Sequence, residues 1–276
     1  MNRYARMNAL LDAMAAEGHV DVDSLARQFG VSPTTVRRDL NHLHEQQLVT
    51  RTRGGAVATT VNYDLPIRYR RASHAPEKTR IGRAAAALVG TGDVVGINGG
   101  TTTTEVARAI AEGRPDDDTP GHDLARSDAA RHDTRPPEQI TIVTNAINIA
   151  GELTVRRHVK LIMTGGVARL QSFELTGPLA YDTLAQIDLD YAMLGVDAFD
   201  PALGAKALDE DEARINRLMA ERARTVVVVA DSSKLAARAF ARICPPGAVD
   251  YLITDTGAPL VVVEEIRDAG VRVIVV

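Results

Sequence analysis

This chain of 276 residues has one cysteine, no lysine within residues 1–60, and no uninterrupted apolar run of eighteen residues. The lone thiol, Cys244, cannot close an internal disulfide, and its place beside Pro245 and Pro246 suits a packed or loop thiol rather than a nucleophile. Without a long apolar run there is no candidate membrane-spanning helix, and the opening MNRYARMNAL lacks the continuous apolar core of a signal peptide. A cytoplasmic protein without membrane association is therefore expected. Also missing are GxGxxG and GxxxxGK(S/T), which argues against dinucleotide and nucleoside-triphosphate sites of those types, and no cofactor is implied. Excess positive charge is missing as well: the formal net charge is −4, and residues 1–60 set seven Arg against six Asp plus Glu, a balance of +1. Any basic patch must then be local, on Arg37, Arg38, Arg51 and Arg53.

What is present is long enough for two domains, with 45% apolar residues to supply their cores. The stretch SPTTVRRDLN, residues 32–41, reads as a short polar helix: Ser32 can cap the first free amides, and Pro33 suits the first helical position. Val36, Leu40 and Leu43 share an inward stripe, which leaves Thr34, Thr35, Arg37, Arg38, Asn41 and His42 outside. Arginine can take guanine O6 and N7 in a bidentate pair or hold a phosphate, and threonine offers a hydroxyl and a methyl where base edges are met. A solvated charged helix shows the same pattern. Its flanks add to the case for DNA. Asp21 can cap a helix with Val22, Leu25, Ala26 and Phe29 on one face, closed by Gly30, so that helix, three-residue turn and helix follow one another. Upstream, Met7, Leu10, Leu11 and Met14 form another helical stripe ending near Gly18. Downstream, LVTRTRGGAV, residues 48–57, reads as a two-stranded hairpin turning near Gly54 and Gly55, with Arg51 and Arg53 on one face as a basic wing.

Residues 3–58 thus resemble the winged helix-turn-helix of the DeoR family of bacterial transcriptional repressors, with LARQFGVSPTTVRRDLNHL and RTRGGAV standing where that family places its recognition helix and wing. The resemblance implies a DNA-contacting role for Thr34, Thr35, Arg37 and Arg38, and more loosely for Arg51 and Arg53. Ser32 and Asn41, on the same helix, complete the candidate set. Double-stranded operator DNA is the implied partner.

The expected winged domain covers residues 1–58 and a linker covers 59–75, where Pro66 stands with Arg68, Arg70 and Arg71. Those arginines can approach phosphates, and linker solubility explains them equally well. From residue 76 onward, Ile81, Ala84, Ala85 and Leu88 mark a helix ending near Gly90. Strands are then expected at 94–98, 140–144, 159–164, 191–196, 225–230, 251–254 and 271–276. Several are continuous Val/Ile runs with helical segments between them, the pattern of an α/β domain whose mostly parallel sheet is buried on both faces. Ligands of such sheets collect beyond the carboxyl ends of the strands.

In DVVGINGGTTTTEVARAI, Gly99 and Gly100 with Thr101, Thr102, Thr103 and Thr104 lie between a strand and a helix. Glycines admit an anion to backbone amides, hydroxyls donate to it, and the helix dipole favours it, so phosphate is expected here. An unliganded polar turn is the alternative. Asn145 and the pair Gly165 and Gly166 stand at the next strand ends, where they complete a ligand rim or serve turn geometry. Asp197, Lys206 and Glu212 fall in one loop-and-helix region, and residues 231–234 read as another strand-to-helix turn from which Lys234 can reach inward. Converging from four strand ends, these residues suit a small anionic, polyhydroxylated ligand. Residues 113–139, with four prolines and no aromatic, read as a disordered insertion. His122 and His132 within it fit a solvated loop better than a metal tract.

The likeness to the DeoR family continues over residues 76–276: GGTTTTE, VTNAINIA, TGG, LGVD and ADSSK keep the order of its effector domain, and the insertion is an addition to it. That domain is related in fold to ribose-5-phosphate isomerase and glucosamine-6-phosphate deaminase. The resemblance implies a phosphorylated sugar as effector, a phosphate site at residues 100–104, and sugar-facing roles for Asp197, Lys206, Glu212 and Lys234. Asn98 stands where many members carry an acidic residue, which leaves the sugar open. Kinship with isomerases raises an enzymatic alternative, since Asp197, Lys206 and Glu212 have proton-transfer chemistry. An isomerase-like loop would resemble DGADEID, however, and this chain has LGVDAFD, with Leu194 in place of the first acid. Binding without turnover is therefore expected, in a homo-oligomeric repressor of carbohydrate-metabolism genes that holds two winged domains at half-site spacing.

Overall fold

The computed structural model describes residues 6–7, 9–11, 13–14, 19–45, 49–58, 74–113, 139–235 and 237–276. Gly18, the linker arginines Arg68, Arg70 and Arg71, and residues 114–138 of the expected insertion, with His122 and His132, lie outside them. The chain divides into two compact units, Met1–Ala75 and Pro76–Val276.

The first unit runs β1 (His19–Asp21), α1 (Val22–Phe29), α2 (Pro33–Glu45), β2 (Val49–Thr52) and β3 (Gly55–Ala58). Local chemistry sets these ends. Asp21 Oδ1 accepts the amides of Asp23 and Ser24 at 3.0 and 2.9 Å, and Gly30 closes α1 in the left-handed region at φ 63°. Ser32 Oγ accepts the Thr35 amide at 3.2 Å, and Pro33 opens α2 where no amide donor is needed. The apolar stripes of residues 7–14, α1 and α2 meet in one core, in which Leu10, Val36, Leu40 and Leu43 are fully buried.

The wing differs from the two-stranded expectation. Its sheet has three strands in the order β1-β3-β2, because His19–Asp21 pairs antiparallel with β3. Gly55 lies in that sheet, and a Cβ on it would stand 1.9 Å from the Val20 carbonyl oxygen. Thr52 pairs with Gly55, so Arg53 and Gly54 form the turn. Strand alternation therefore ends before Arg53 and does not set it beside Arg51.

The second unit runs α3 (Ala75–Ala86), β4 (Val94–Ile97), α4 (Thr101–Glu112), β5 (Ile140–Thr144), α5 (Ile147–Leu153), β6 (Val159–Met163), β7 (Val167–Ala168), β8 (Leu175–Thr176) and α6 (Pro178–Leu184). It continues with β9 (Leu189–Gly195), β10 (Ala198–Asp200), β11 (Gly204–Ala207), α7 (Glu210–Glu221), β12 (Ala223–Val229), β13 (Ala241–Cys244), β14 (Tyr251–Thr254), α8 (Leu260–Asp268) and β15 (Arg272–Val275). A seven-stranded sheet, ordered β15-β14-β12-β9-β4-β5-β6, has every neighbour pair parallel. Its strands are apolar on both faces for a visible reason. On β12, Val226 and Val228 enter one core while Val227 and Val229 enter the other, as two-residue alternation requires when helices cover both sides.

Two small antiparallel pieces accompany this sheet: the hairpin β7-β8 and the three-stranded β10-β11-β13. The expected strand-to-helix turn at 231–234 is instead a single 3-10 turn, Ser232–Lys234, because the chain past Leu235 returns to pair β13 with β11. Parallel strands share one carboxyl edge, which gathers Asn98 to Gly100, Asn145, Gly165, Gly166, Asp197 and Asp231 there.

Candidate functional site

On α2, Ser32, Thr34, Arg37, Arg38 and Asn41 are exposed, whereas Thr35 and His42 are half-buried. The Ser32 and Thr35 hydroxyls lie 2.9 Å apart, so both are tied to the helix start. No acidic residue stands in the first turn of α2, which leaves the positive end of its dipole uncompensated there. The inward face carries a residue that stripe reasoning passed over: Asp39 is 1% exposed, and Arg6 Nε donates to its Oδ2 at 2.6 Å. An acidic residue three positions after Val36, on the apolar stripe, was the available signal. In the wing, Arg51 is half-buried and donates to the Gly55 carbonyl, while Arg53 is exposed in the turn.

At the carboxyl edge of the sheet, Gly100 precedes α4 at φ 140° without a side-chain cap, and the Thr104 amide is the first to reach the Gly100 carbonyl. The amides of Thr101, Thr102 and Thr103 therefore have no intrahelical acceptor. The four threonines are not equivalent. Thr103 and Thr104 donate their hydroxyls to the Gly100 carbonyl at 3.2 and 2.6 Å, so in this state these two do not face an anion. Thr101 and Thr102 hydroxyls have no hydrogen-bond partner among the described residues, and Thr101 is half-buried. Gly99 has a different reason to be glycine from the one expected: a Cβ there would lie 2.3 Å from Glu174 Cγ and 2.6 Å from Glu174 Oε1.

Asn145 is fully buried and donates to Glu174 Oε2 at 3.0 Å and to the Leu175 carbonyl at 3.3 Å, so it positions Glu174 and does not form an open rim. Gly165 is exposed at φ 72°, and a Cβ on Gly166 would come within 2.5 Å of the Thr176 carbonyl oxygen. The geometric reading of these two glycines is the one the structure supplies. Asn98, 1% exposed, makes a reciprocal bridge to Gly195: Nδ2 donates to its carbonyl at 2.9 Å and Oδ1 accepts its amide at 2.8 Å. The ends of β4 and β9 are thereby clamped together.

Asp197, Lys206 and Glu212 come together around the β10-β11 hairpin and the start of α7. Asp197 Oδ2 accepts the Leu208 amide at 3.0 Å, and its own amide donates to the Lys206 carbonyl at 3.0 Å. A register shift between Ala205 and Lys206 redirects the strand at Lys206, which has no ion pair among the described residues. Glu212 is 7% exposed, and burial pushes its carboxyl above the ordinary range, helped by Asp197 and Asp209 and opposed by Ser172 and Arg169. Arg169 reaches Glu212 at 3.1 Å and Asp209 at 3.2 Å. Lys234 is half-buried on the 3-10 turn.

Sequence reasoning missed Glu174, Arg169 and Lys78 at this edge. Lys78 is 5% exposed on α3, with Nζ 4.0 Å from Oδ2 of the buried Asp231. For Arg169 and Glu174 the only sequence signal was charge near turns, and Lys78, between Glu77 and Arg80 on a charged helix, had none. Among the described residues, no group of three or more His, Cys, Asp or Glu could hold a metal ion, and no helix is long and apolar enough to cross a membrane.

Comparison with known proteins agrees across both units. Residues 6–61 match the DeoR-like helix-turn-helix domain and residues 132–256 match the DeoR C terminal sensor domain. The HTH-type transcriptional regulator GlpR of Haloferax volcanii is 34% identical over 271 residues, covering 98% of this chain and 96% of its own length. The glycerol-3-phosphate regulon repressor of Escherichia coli (strain K12) is 29% identical over 272 residues, covering 99% of this chain and 98% of its own. Among solved structures, ribose 5-phosphate isomerase A of Methanocaldococcus jannaschii superposes with a TM-score of 0.40 and 15% identity, over 59% of this chain and 56% of that one. With both domain types matched in order and the relatives aligned over nearly their whole length, the chain belongs to the DeoR family of transcriptional regulators.

Proposed function

We propose that this protein is a transcriptional repressor of carbohydrate-metabolism genes whose hold on double-stranded operator DNA is controlled by a phosphorylated sugar. The observation that carries the DNA half is α2: Thr34, Arg37, Arg38 and Asn41 are exposed, and Val36, Asp39, Leu40 and Leu43 are buried behind them. A helix anchored on one face and rich in guanidinium and hydroxyl groups on the other meets the needs of major-groove contact. The effector half rests on the three amides of Thr101 to Thr103 that lack an intrahelical acceptor, the hydroxyls of Thr101 and Thr102, and the cations Lys206 and Lys234. The named specificity of the Escherichia coli relative, glycerol 3-phosphate, makes a phosphorylated polyol the first ligand to try.

The repressor acts as a homo-oligomer that sets two winged units at operator half-sites. Ligand binding favours one state of the α/β unit, and a coupling of typically about 1–3 kcal/mol lowers operator affinity. Asp197, Lys206 and Glu212 hold the ligand without turning it over, because Leu194, fully buried, replaces an acid with a side chain that transfers no proton. The test is a fluorescence-anisotropy titration of the DNA upstream of the gene with glycerol 3-phosphate, ribose 5-phosphate and glucose 6-phosphate. Release of DNA by at least one of them, without isomerised product, is expected. DNA occupancy indifferent to the whole panel, or turnover abolished by Lys206→Ala, would overturn the proposal.

A further inference from the structure

Helices α3 and α4 lie closer together than a side chain between them would allow. Gly82 stands in the middle of α3, where glycine costs a helix more backbone entropy than alanine would. A Cβ on it would come 2.7 Å from the Glu105 carbonyl carbon and 2.9 Å from its oxygen, near the start of α4. The missing side chain is therefore what lets α3 rest on the α4 backbone. Thr79, three residues earlier, donates its hydroxyl to Glu105 Oε2 at 3.4 Å. Arg108 braces the same carboxylate: it donates to Glu105 Oε1 and, through Nε and Nη2, to Glu152 on α5 at 2.6 and 2.7 Å. Glu105 follows directly on Thr101 to Thr104, the stretch that carries the proposed phosphate site. An anion drawn onto the free amides there pulls on the helix against which α3 is seated.

A second wall of the same edge also holds α3. Lys78 Nζ lies 4.0 Å from Oδ2 of Asp231, the residue that opens the turn carrying Lys234, and both side chains are buried. A buried ammonium and carboxylate separate only at large cost, so a shift of the Asp231 turn carries α3 with it. Ile81 and Ala85, fully buried on the same helix, pack it into the core, and a close-packed interior passes strain on rather than absorbing it. At its other end α3 is the covalent entry to this unit: it begins at Ala75, where the first unit ends. Whatever displaces α3 displaces the point at which the linker joins the α/β unit.

Resting on the effector site proposed above, we infer that α3 is the coupling element of the repressor, with Gly82 the positioning residue through which occupancy of the α4 start reaches the linker. The test is a coupling factor: the dissociation constant for the DNA upstream of the gene with a saturating sugar phosphate, divided by that without it. It is measured on the full chain for wild type, Gly82→Ala and Thr79→Val, with glycerol 3-phosphate, ribose 5-phosphate and glucose 6-phosphate in turn. Coupled sites of this kind give a factor of about 5–150. Gly82→Ala forces α3 off α4 and should lower the wild-type factor by about threefold or more, while the variant still binds DNA. A purely structural role would not do this, since loss of folded protein scales both constants alike. Thr79→Val, which deletes the hydroxyl, decides the matter if the alanine variant does not fold. A wild-type factor retained in the deciding variant overturns the inference alone and sends the signal through a subunit interface instead. A wild-type factor of one with all three compounds overturns the proposed effector site and this inference with it.

Discussion

Arg6→Met is the substitution whose consequence the structure determines most sharply. It removes the guanidinium that donates to Asp39 at 2.6 Å, in a pair whose side chains are 10% and 2% exposed. The remaining carboxylate would sit behind the recognition helix, among Val36, Leu40 and Leu43, with that charge uncompensated by Arg6. Removing one partner of such a buried pair costs about 3–5 kcal/mol. The unit Met1–Ala75 would have roughly 4–11 kcal/mol of stability at the usual value per residue, so the loss takes about a quarter of it or more. Calorimetry of the full chain should show the winged unit melting well below its wild-type temperature while the α/β unit is unchanged. Adding Asp39→Leu to Arg6→Met should recover most of the loss, since an apolar pair of similar volume is often neutral in place of a buried ion pair. A single variant less than about 1 kcal/mol below wild type, or a double variant no better than the single, would refute the reasoning.

Two further outcomes are expected in the α/β unit. Asn98→Asp keeps the acceptor for the Gly195 amide but sets a carboxylate where Nδ2 donates to the Gly195 carbonyl, and should cost about 1–3 kcal/mol in chemical denaturation; a midpoint equal to wild type would contradict the clamp. Glu212 titrates above its ordinary value of 4.5, chiefly because of burial, so the fold binds its proton more tightly than the unfolded chain does. The stability this contributes is complete below 4.5 and is lost as pH rises through the raised folded-state value. Glu212→Gln should remove that loss, giving a melting temperature that declines less than that of wild type across this window, and parallel pH profiles would rule it out.

The strands of the large sheet were legible because several contain continuous Val/Ile runs that fill both cores, as VVVV does in ARTVVVV on β12. The ends of α1 and α2 were legible for a different reason: Asp21, Gly30, Ser32 and Pro33 act within three residues of where they stand. What escaped depended on partners distant in sequence. β11 is four residues whose partner β13 comes after an entire helix and strand, and the short HVD of β1 acquires strand character only from β3. The burial of Asp39 is decided by Arg6, 33 positions away, and the place of Glu174 by Asn145 and by the space above Gly99. Of the candidate site, the residue types at the strand ends were foreseeable. Which of them face a ligand and which hold others was not, since Thr103, Thr104, Asn98 and Asn145 all turn out to bond to the protein itself.

The central claim is that the exposed face of α2 reads operator DNA, and its most direct test is the dissociation constant of wild type and of Arg37→Ala with Arg38→Ala, measured against salt concentration. If both guanidiniums meet phosphates, the double variant should bind the upstream DNA at least about tenfold more weakly, with the slope of log affinity against log salt reduced by up to about 1.8, while both units melt as in wild type. A folded double variant with wild-type affinity and an unchanged slope would contradict the account.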